Sequence, residues 1–140
     1  MAHPVRHHTL AANGATLHYA RLGAGPPLVL LHGWPEFWLT WEPVMQRLAD
    51  RFDLIAPDFR GFGDSPKPDE GPSDRVGPAV HAEDLLALLD HLGLSRVGLV
   101  SHDVGAYVAQ VFARAHPERL SRLFFFDCPY SGVGSRWAEP

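Results

Sequence analysis

The chain contains four short apolar runs that have the length of buried strands: 27–31, 53–57, 97–101 and 122–126. Three segments of helical period lie between them, at about 40–49, 78–92 and 105–115. Before them, the turn Asn13-Gly14 between 6–10 and 16–22 predicts an antiparallel hairpin. Strands that alternate with helices predict an α/β fold, in which a mostly parallel sheet carries helices on both faces.

The segment Ser101-His102-Asp103-Val104-Gly105 joins the third apolar run to the last helical segment. A very tight turn from a strand into a helix needs small residues two positions before and after its reactive residue, because larger side chains would collide. Ser101 and Gly105 meet this requirement around Asp103, whereas Leu99 and Asp103 would flank Ser101. The motif therefore predicts Asp103 as a nucleophile. The alternative is that Asp103 only caps the following helix.

A carboxylate nucleophile suits displacement at saturated carbon better than attack on amides or esters. It opens an epoxide or expels a halide and leaves an alkyl ester on the enzyme, which water then hydrolyses at the carboxyl carbon. The predicted substrate is therefore a small-molecule epoxide or organohalide.

The apolar run 27–31 is followed directly by His32-Gly33-Trp34-Pro35. In a hydrolase of this arrangement, a backbone N–H from this loop and the N–H of the residue after the nucleophile form an oxyanion hole. These donors are predicted to belong to Trp34 and Val104. The alternative for this motif is an ordinary turn.

Five further residues are expected to support the nucleophile and the oxyanion hole: His32, Gly33, Pro35, His102 and Gly105. The histidine of the first loop is expected to hydrogen-bond within that loop. The histidine beside the nucleophile is expected to pack beneath the turn, since neighbouring side chains point apart across so sharp a bend.

A third motif, Asp58-x-Arg60-Gly61-x-Gly63-x-Ser65, follows the second apolar run. In order and spacing, the three motifs resemble the α/β-hydrolase superfamily. Among its branches they resemble the epoxide hydrolases and the haloalkane or haloacetate dehalogenases. The resemblance covers nearly the whole chain, from about Thr16 onward, and implies the α/β-hydrolase fold. It also implies that Asp58 and Arg60 form a structural ion pair beneath the site.

The residue after the predicted nucleophile separates the branches of the family. Haloalkane dehalogenases usually carry a tryptophan there to hold the halide, and haloacetate dehalogenases tend to carry an arginine for the substrate carboxylate. Val104 offers neither donor. The resemblance thus favours hydrolysis of an epoxide to a diol, with dehalogenation as the alternative.

Members of this superfamily place the nucleophile, an acid and a histidine in that order, in chains about twice as long. The sequence is therefore expected to be the N-terminal half of the core, a single partial domain over 1–140 truncated after the sixth strand. Residues from about 128 to 140 would begin the connection to the lid, and the lid and C-terminal part would be absent. Without the general-base histidine, a non-catalytic fragment or assembly unit is the rival interpretation.

None of the nine histidines is a convincing general base. Apart from the two in the motifs, they are predicted to lie on the surface: His3, His7, His8, His18, His81, His91 and His116. Asp127 follows the last apolar run and is a candidate acid, with a cap of the turn before Pro129 as the alternative. The strand edge at 123–126 is apolar, so a second chain or a homo-oligomer is expected to cover it.

Composition excludes several classes of function. The net charge is -4 and no basic patch indicates nucleic acid. No run approaches the roughly 20 apolar residues of a membrane span, and the N-terminus lacks the apolar core of a signal peptide. The single cysteine, Cys128, fits a cytoplasmic location. Prolines after Gly63 rule out a dinucleotide fingerprint, and we expect no cofactor and no metal.

Overall fold

The computed structural model describes residues 2–67 and 76–128. Six strands are present in this part of the chain: β1 (Arg6–Ala12), β2 (Ala15–Gly23), β3 (Pro27–Leu31), β4 (Asp53–Pro57), β5 (Val97–His102) and β6 (Leu120–Phe126). The helices are α1 (Glu42–Leu48), α2 (Pro78–His91) and α3 (Val104–Ala115), with short 3₁₀ turns at Trp38–Trp41 and Pro117–Arg119. The predicted elements are confirmed. The first helix begins late because its predicted start is part of the 3₁₀ turn.

The strands form one mixed sheet in the order β1-β2-β4-β3-β5-β6. β1 and β2 are antiparallel, as are β2 and β4, whereas β3 is parallel to both β4 and β5 and β6 is parallel to β5. The chain passes from β3 to β4 on one side and then returns to β5 on the other. This reversal opens a crevice at the carboxyl ends of β3 and β5, which is where ligands bind in open α/β sheets.

Helices cover both faces of the sheet, as predicted. On one face α2 and α3 contribute Leu85, Leu88 and Phe112 to a core that includes Val29 and Leu31 of the central strand. On the other face α1 and the 3₁₀ turn pack against the remaining central side chains, among them Trp38, Trp41, Met45, Leu30 and Leu54. Side chains of successive residues on β3 therefore enter opposite cores, and the strand is held rigidly between them.

Three sequence predictions about polar residues are wrong. Asp58 and Arg60 are not an ion pair: Arg60 pairs with Asp84 on α2, at 2.6 Å between Nε and Oδ2. His18 and His81, predicted to be on the surface, are both 5% exposed. The partner of Arg60 and the burial of the two histidines depend on residues far away in the sequence. Local sequence patterns therefore could not reveal them.

Strand β6 is the edge strand of the described sheet and pairs with β5 alone. Its side chains Leu123, Phe124 and Phe126 are exposed, Phe124 to 61%. Within the described residues, no helix has the length and apolarity needed to cross a bilayer. The predicted lid connection at 129–140 lies outside the described residues.

Candidate active site

The site is built where β3 and β5 end side by side. Leu31 and Ser101 are partners in the parallel register of these strands. The loop after β3 and the turn after β5 therefore begin at the same edge of the sheet. This register brings the two separate sequence motifs together.

Asp103 occupies the sharp turn between β5 and α3, with φ 52° and ψ -121°. Only a few non-glycine residues adopt such a conformation. A Cβ on Gly105 would lie 2.5 Å from the carbonyl oxygen of His32 and 2.7 Å from that of Leu31. Ser101 is fully buried on β5, so its hydroxyl is not accessible for attack. The predicted requirement for small residues around Asp103 has a direct steric cause.

The carboxylate of Asp103 lies against the predicted oxyanion hole. The Trp34 N–H donates to Asp103 Oδ1 at 3.0 Å. Hydrogen bonds from the Trp34 and then the Val104 backbone N–H groups lower the pKa of Asp103 below its usual value. Beyond this first residue of α3, the side chain makes no N-cap hydrogen bond to the helix. It is therefore held as an ionised group that faces two amide donors.

Close approach of the two loops depends on Gly33. A Cβ at this position would lie 2.7 Å from Asp103 Cβ and 3.0 Å from His102 Nδ1. The loop turns back on itself through a hydrogen bond from Glu36 N to Gly33 O at 3.1 Å, and the Trp34-Pro35 peptide bond is cis. Gly33 thus allows the loop that presents the Trp34 amide to lie against the turn that carries Asp103.

Glu36 is a site residue that sequence reasoning missed. Its Oε2 accepts the Gly33 N–H at 3.1 Å and lies 3.2 Å from His102 Nδ1. The carboxylate therefore ties the loop after β3 to the turn after β5. The available signal was an acidic residue directly after His32-Gly33-Trp34-Pro35, at a distance where a side chain can fold back on the loop.

His102 and Asp127 meet beside the predicted nucleophile. His102 Nε2 lies 3.3 Å from Asp127 Oδ2, and the imidazole is 4.9 Å from the ring of Phe126. The ring of His102 therefore bridges the carboxylates of Glu36 and Asp127. No hydrogen bond joins a histidine of residues 2–67 or 76–128 to Asp103.

His32 is fully buried and hydrogen-bonds inside the loop region. Its Nδ1 donates to Gly33 O at 2.8 Å and its Nε2 accepts the Phe59 N–H at 3.1 Å. This pair of contacts requires the neutral ring with the proton on Nδ1. Burial lowers the pKa of His32, which favours the same neutral form.

The glycine loop after β4 packs around Asp58. This carboxylate, 1% exposed, accepts the Trp38 N–H at 2.6 Å and the Asp64 N–H at 2.9 Å. A Cβ on Gly63 would collide with the same carboxylate. Gly63 therefore makes room for Asp58 and does not serve a phosphate. One further polar cluster, His18 with Asp58 and Asp64, has ligand atoms within 4.8 Å of one another.

The comparisons with known proteins agree with this architecture. A family model described as "alpha/beta hydrolase fold" matches residues 26–136. The soluble epoxide hydrolase of Corynebacterium sp. is 44% identical over 127 residues, which are 91% of this chain and 43% of that protein. Epoxide hydrolase 2 of Siraitia grosvenorii is 41% identical over 121 residues, 85% of this chain and 37% of the relative.

Solved structures show the same similarity. The epoxide hydrolase CorEH superposes with a TM-score of 0.82 at 41% identity, over 94% of this chain and 46% of that one. Epoxide hydrolase VrEH1 from Vigna radiata gives a TM-score of 0.87 at 32% identity, over 94% and 43%. The chain spans less than half the length of these relatives. It belongs to the α/β-hydrolase fold family and matches an N-terminal part of its epoxide hydrolases.

Proposed function

We propose that this chain supplies the nucleophile and oxyanion hole of an epoxide hydrolase, with Asp103 as the attacking group. One observation carries the proposal. An ionised carboxylate sits on a strand-to-helix turn with the Trp34 N–H at 3.0 Å from its oxygen. The epoxide hydrolases among the relatives support the substrate class.

In the first step an Asp103 oxygen attacks one ring carbon of the epoxide. A carbon–oxygen bond forms, the ring carbon–oxygen bond breaks, and the released alkoxide takes a proton from water to become a hydroxyl, with hydroxide left in the solvent. The product is a hydroxyalkyl ester of Asp103. The low pKa of Asp103 keeps the attacking group ionised at neutral pH.

In the second step water attacks the carboxyl carbon of that ester. The negative charge that develops on the carboxyl oxygen lies where the Trp34 and Val104 amides donate. The loss of one such donor typically raises the barrier by roughly 3 to 4 kcal/mol. When the tetrahedral intermediate collapses, the diol leaves with one of the original Asp103 oxygens.

Hydrolysis of the ester also needs a general base that reaches the attacking water. Among the described residues no histidine hydrogen-bonds to the Asp103 carboxylate. We therefore assign the alkylation step to this chain and expect the base to come from polypeptide outside the described residues. Asp127 stays a candidate acid, since its position at the end of β6 lets it orient an imidazole, as it does with His102.

Dehalogenation is the alternative reaction of an aspartate nucleophile. Val104 contributes a backbone amide but no side-chain donor for a departing halide or for a substrate carboxylate. The epoxide is therefore favoured over the organohalide. A non-catalytic role is the remaining alternative, and it predicts no covalent product with either substrate.

The proposal is tested with styrene oxide and, separately, chloroacetate as substrates. We expect a covalent product or diol with the epoxide and no release of chloride from the haloacid. Asp103→Asn is expected to abolish the reaction, whereas the control Asp90→Asn, an exposed carboxylate on α2, retains it. Chloride release that depends on Asp103 would assign the site to dehalogenation instead.

We also propose that further polypeptide covers the edge of β6, from a second chain or from a second copy of this one. The backbone edge and the side chains of Leu123 and Phe124 are exposed, and such edges pair readily. The native mass of the purified protein, followed by identification of the chains, tests this. A monomer of this chain at all concentrations would contradict it. The single domain over 1–140 and the cytoplasmic location stay predictions.

A further inference from the structure

We propose that His7, His18 and Asp64 form a site for a divalent transition-metal ion, with Zn²⁺ the best fit. The site lies where the hairpin of β1 and β2 meets the loop after β4. It shares no residue with the nucleophile or the oxyanion hole. The sequence alone could not show it, because its three side chains come from separate segments.

His18 provides the fixed ligand of this site. It is 5% exposed, and its Nδ1 lies 2.8 Å from Asp58 Oδ2. Asp58 is an acceptor there, since the backbone amides of Trp38 and Asp64 also donate to it. The tautomer that donates from Nδ1 to this carboxylate presents the lone pair of Nε2. An imidazole whose other nitrogen donates to a carboxylate is the usual form of a histidine ligand.

His7 provides the second nitrogen. Its Nδ1 is 2.9 Å from His18 Nε2, and the two rings are stacked with centroids 5.2 Å apart. Two ligands of a tetrahedral Zn²⁺ ion, each at about 2.0 to 2.1 Å, are separated by roughly 3.4 Å. His7 is exposed, so its ring can move by the required half ångström.

Asp64, in the loop after β4, provides an oxygen. Its Oδ2 lies 4.0 Å from His18 Nε2, and its side chain is 61% exposed. Rotation of this exposed side chain would bring the oxygen closer to an ion bound at His18 Nε2. Asp58 is already engaged by three donors. It therefore orients His18 and contributes negative charge, while water takes the fourth position on the metal.

The ion is expected to have a structural role. His7 lies on β1, His18 on β2 and Asp64 in the loop that follows β4. A bound ion would join these three segments and stabilise the folded state, because a ligand that binds only the folded protein raises its stability. No catalytic step is assigned to it.

The test is Zn²⁺ titration of untagged, chelator-treated protein by calorimetry at neutral pH, with thermal unfolding measured in parallel. We expect one equivalent of Zn²⁺ to bind and to raise Tm. His7→Gln should weaken Zn²⁺ binding at least tenfold, and Asp64→Asn should also weaken it. Both replaced side chains are exposed, so the variants are expected to fold.

His8→Gln is the matched control, since His8 is the next residue on β1 and its ring stacks on Tyr19. Its Zn²⁺ affinity should equal that of the unmodified protein. Equal affinity in all the variants would place the ion on other histidines and overturn the proposal, as would absence of binding at submillimolar Zn²⁺. Replacement of Zn²⁺ by Co²⁺ gives a second readout, since the visible spectrum of bound Co²⁺ should be lost in His7→Gln.

Discussion

At the scale of single residues, backbone geometry rather than a neighbouring charge sets the chemistry of Asp103. The turn conformation points its carboxylate at two amide donors, and these donors lower its pKa. In the proposed mechanism the same donors would stabilise the oxyanion of the second step. In the neighbouring loop, Gly33 leaves room for Asp103, and Glu36 accepts a hydrogen bond from the Gly33 N–H.

Gly33→Ala should impair the site much more than it impairs folding. The added methyl would lie 2.7 Å from Asp103 Cβ, so the loop must withdraw and take the Trp34 N–H with it. We expect roughly a hundredfold slower hydrolysis of the Asp103 ester, the usual cost of one oxyanion-hole donor. The measurement is the rate at which heavy oxygen from water enters Asp103 after reaction with the epoxide. Gly93→Ala, at a positive φ with open space around it, should reduce stability and leave this rate unchanged.

Glu36→Gln should have a smaller effect in the same direction. The amide can still contact Gly33 N–H, but it loses the charge that attracts His102 across the 3.2 Å contact. A charge-assisted hydrogen bond contributes about 1.5 to 3 kcal/mol, and its partial loss should slow hydrolysis of the Asp103 ester roughly three- to tenfold. An unchanged rate would show that the Trp34 amide is positioned without Glu36.

At the scale of elements, a buried ion pair connects α2 to the hairpin and the glycine loop. Arg60 donates to both oxygens of Asp84, at 2.6 and 2.7 Å, and also to the carbonyl of Asn13. Asn13 in turn donates to Asp84 at 3.0 Å. The hairpin turn, the loop and α2 therefore meet at one polar contact.

Asp84→Ala is expected to destabilise the fold strongly. It would leave the Arg60 guanidinium buried without its carboxylate, which typically costs about 3 to 5 kcal/mol. Asp90→Ala, on the same helix, removes an exposed partner of Arg119 and should cost less than about 1 kcal/mol. Urea unfolding of both variants measures the difference. Equal losses would mean that the Arg60 contact does not hold these elements together.

The sequence predicted the elements well because each follows from a local pattern. Apolar runs, the Asn13-Gly14 turn and the small residues around Asp103 are readable within a few positions. The partner of Arg60 and the burial of His18 were predicted wrongly, and Glu36 was missed. These three features depend on contacts between residues more than twenty positions apart or on the orientation of a side chain. A local sequence pattern contains neither kind of information.

At the scale of the whole molecule, buried histidines make stability depend on pH. Burial lowers the pKa of His81 to about 4, although Asp84 acts in the opposite direction. Unfolded His81 binds a proton near pH 6.5, so the unfolded state holds more protons between about pH 4 and 6.5. Stability is therefore fully present above that window and falls as pH decreases through it.

His81→Leu should flatten this dependence. His81 alone should lower the free energy of unfolding of the unmodified protein by up to about 1.4 kcal/mol per pH unit within the window, and His32 contributes in the same direction. The variant should lose the share of this pH dependence that comes from His81. His91→Gln, at an exposed position, serves as the control and should keep the slope. A slope unaffected by His81→Leu would contradict the account.

The most direct test of the central claim is the mass of the peptide that contains Asp103 after reaction with styrene oxide in water enriched in the heavy oxygen isotope. If the ester forms and persists, the peptide gains one substrate mass. If it is hydrolysed at the carboxyl carbon, the peptide gains heavy oxygen at Asp103. Either change, absent in Asp103→Asn, is predicted. An Asp103 peptide of unchanged mass under saturating epoxide would contradict the assignment of Asp103 as the nucleophile.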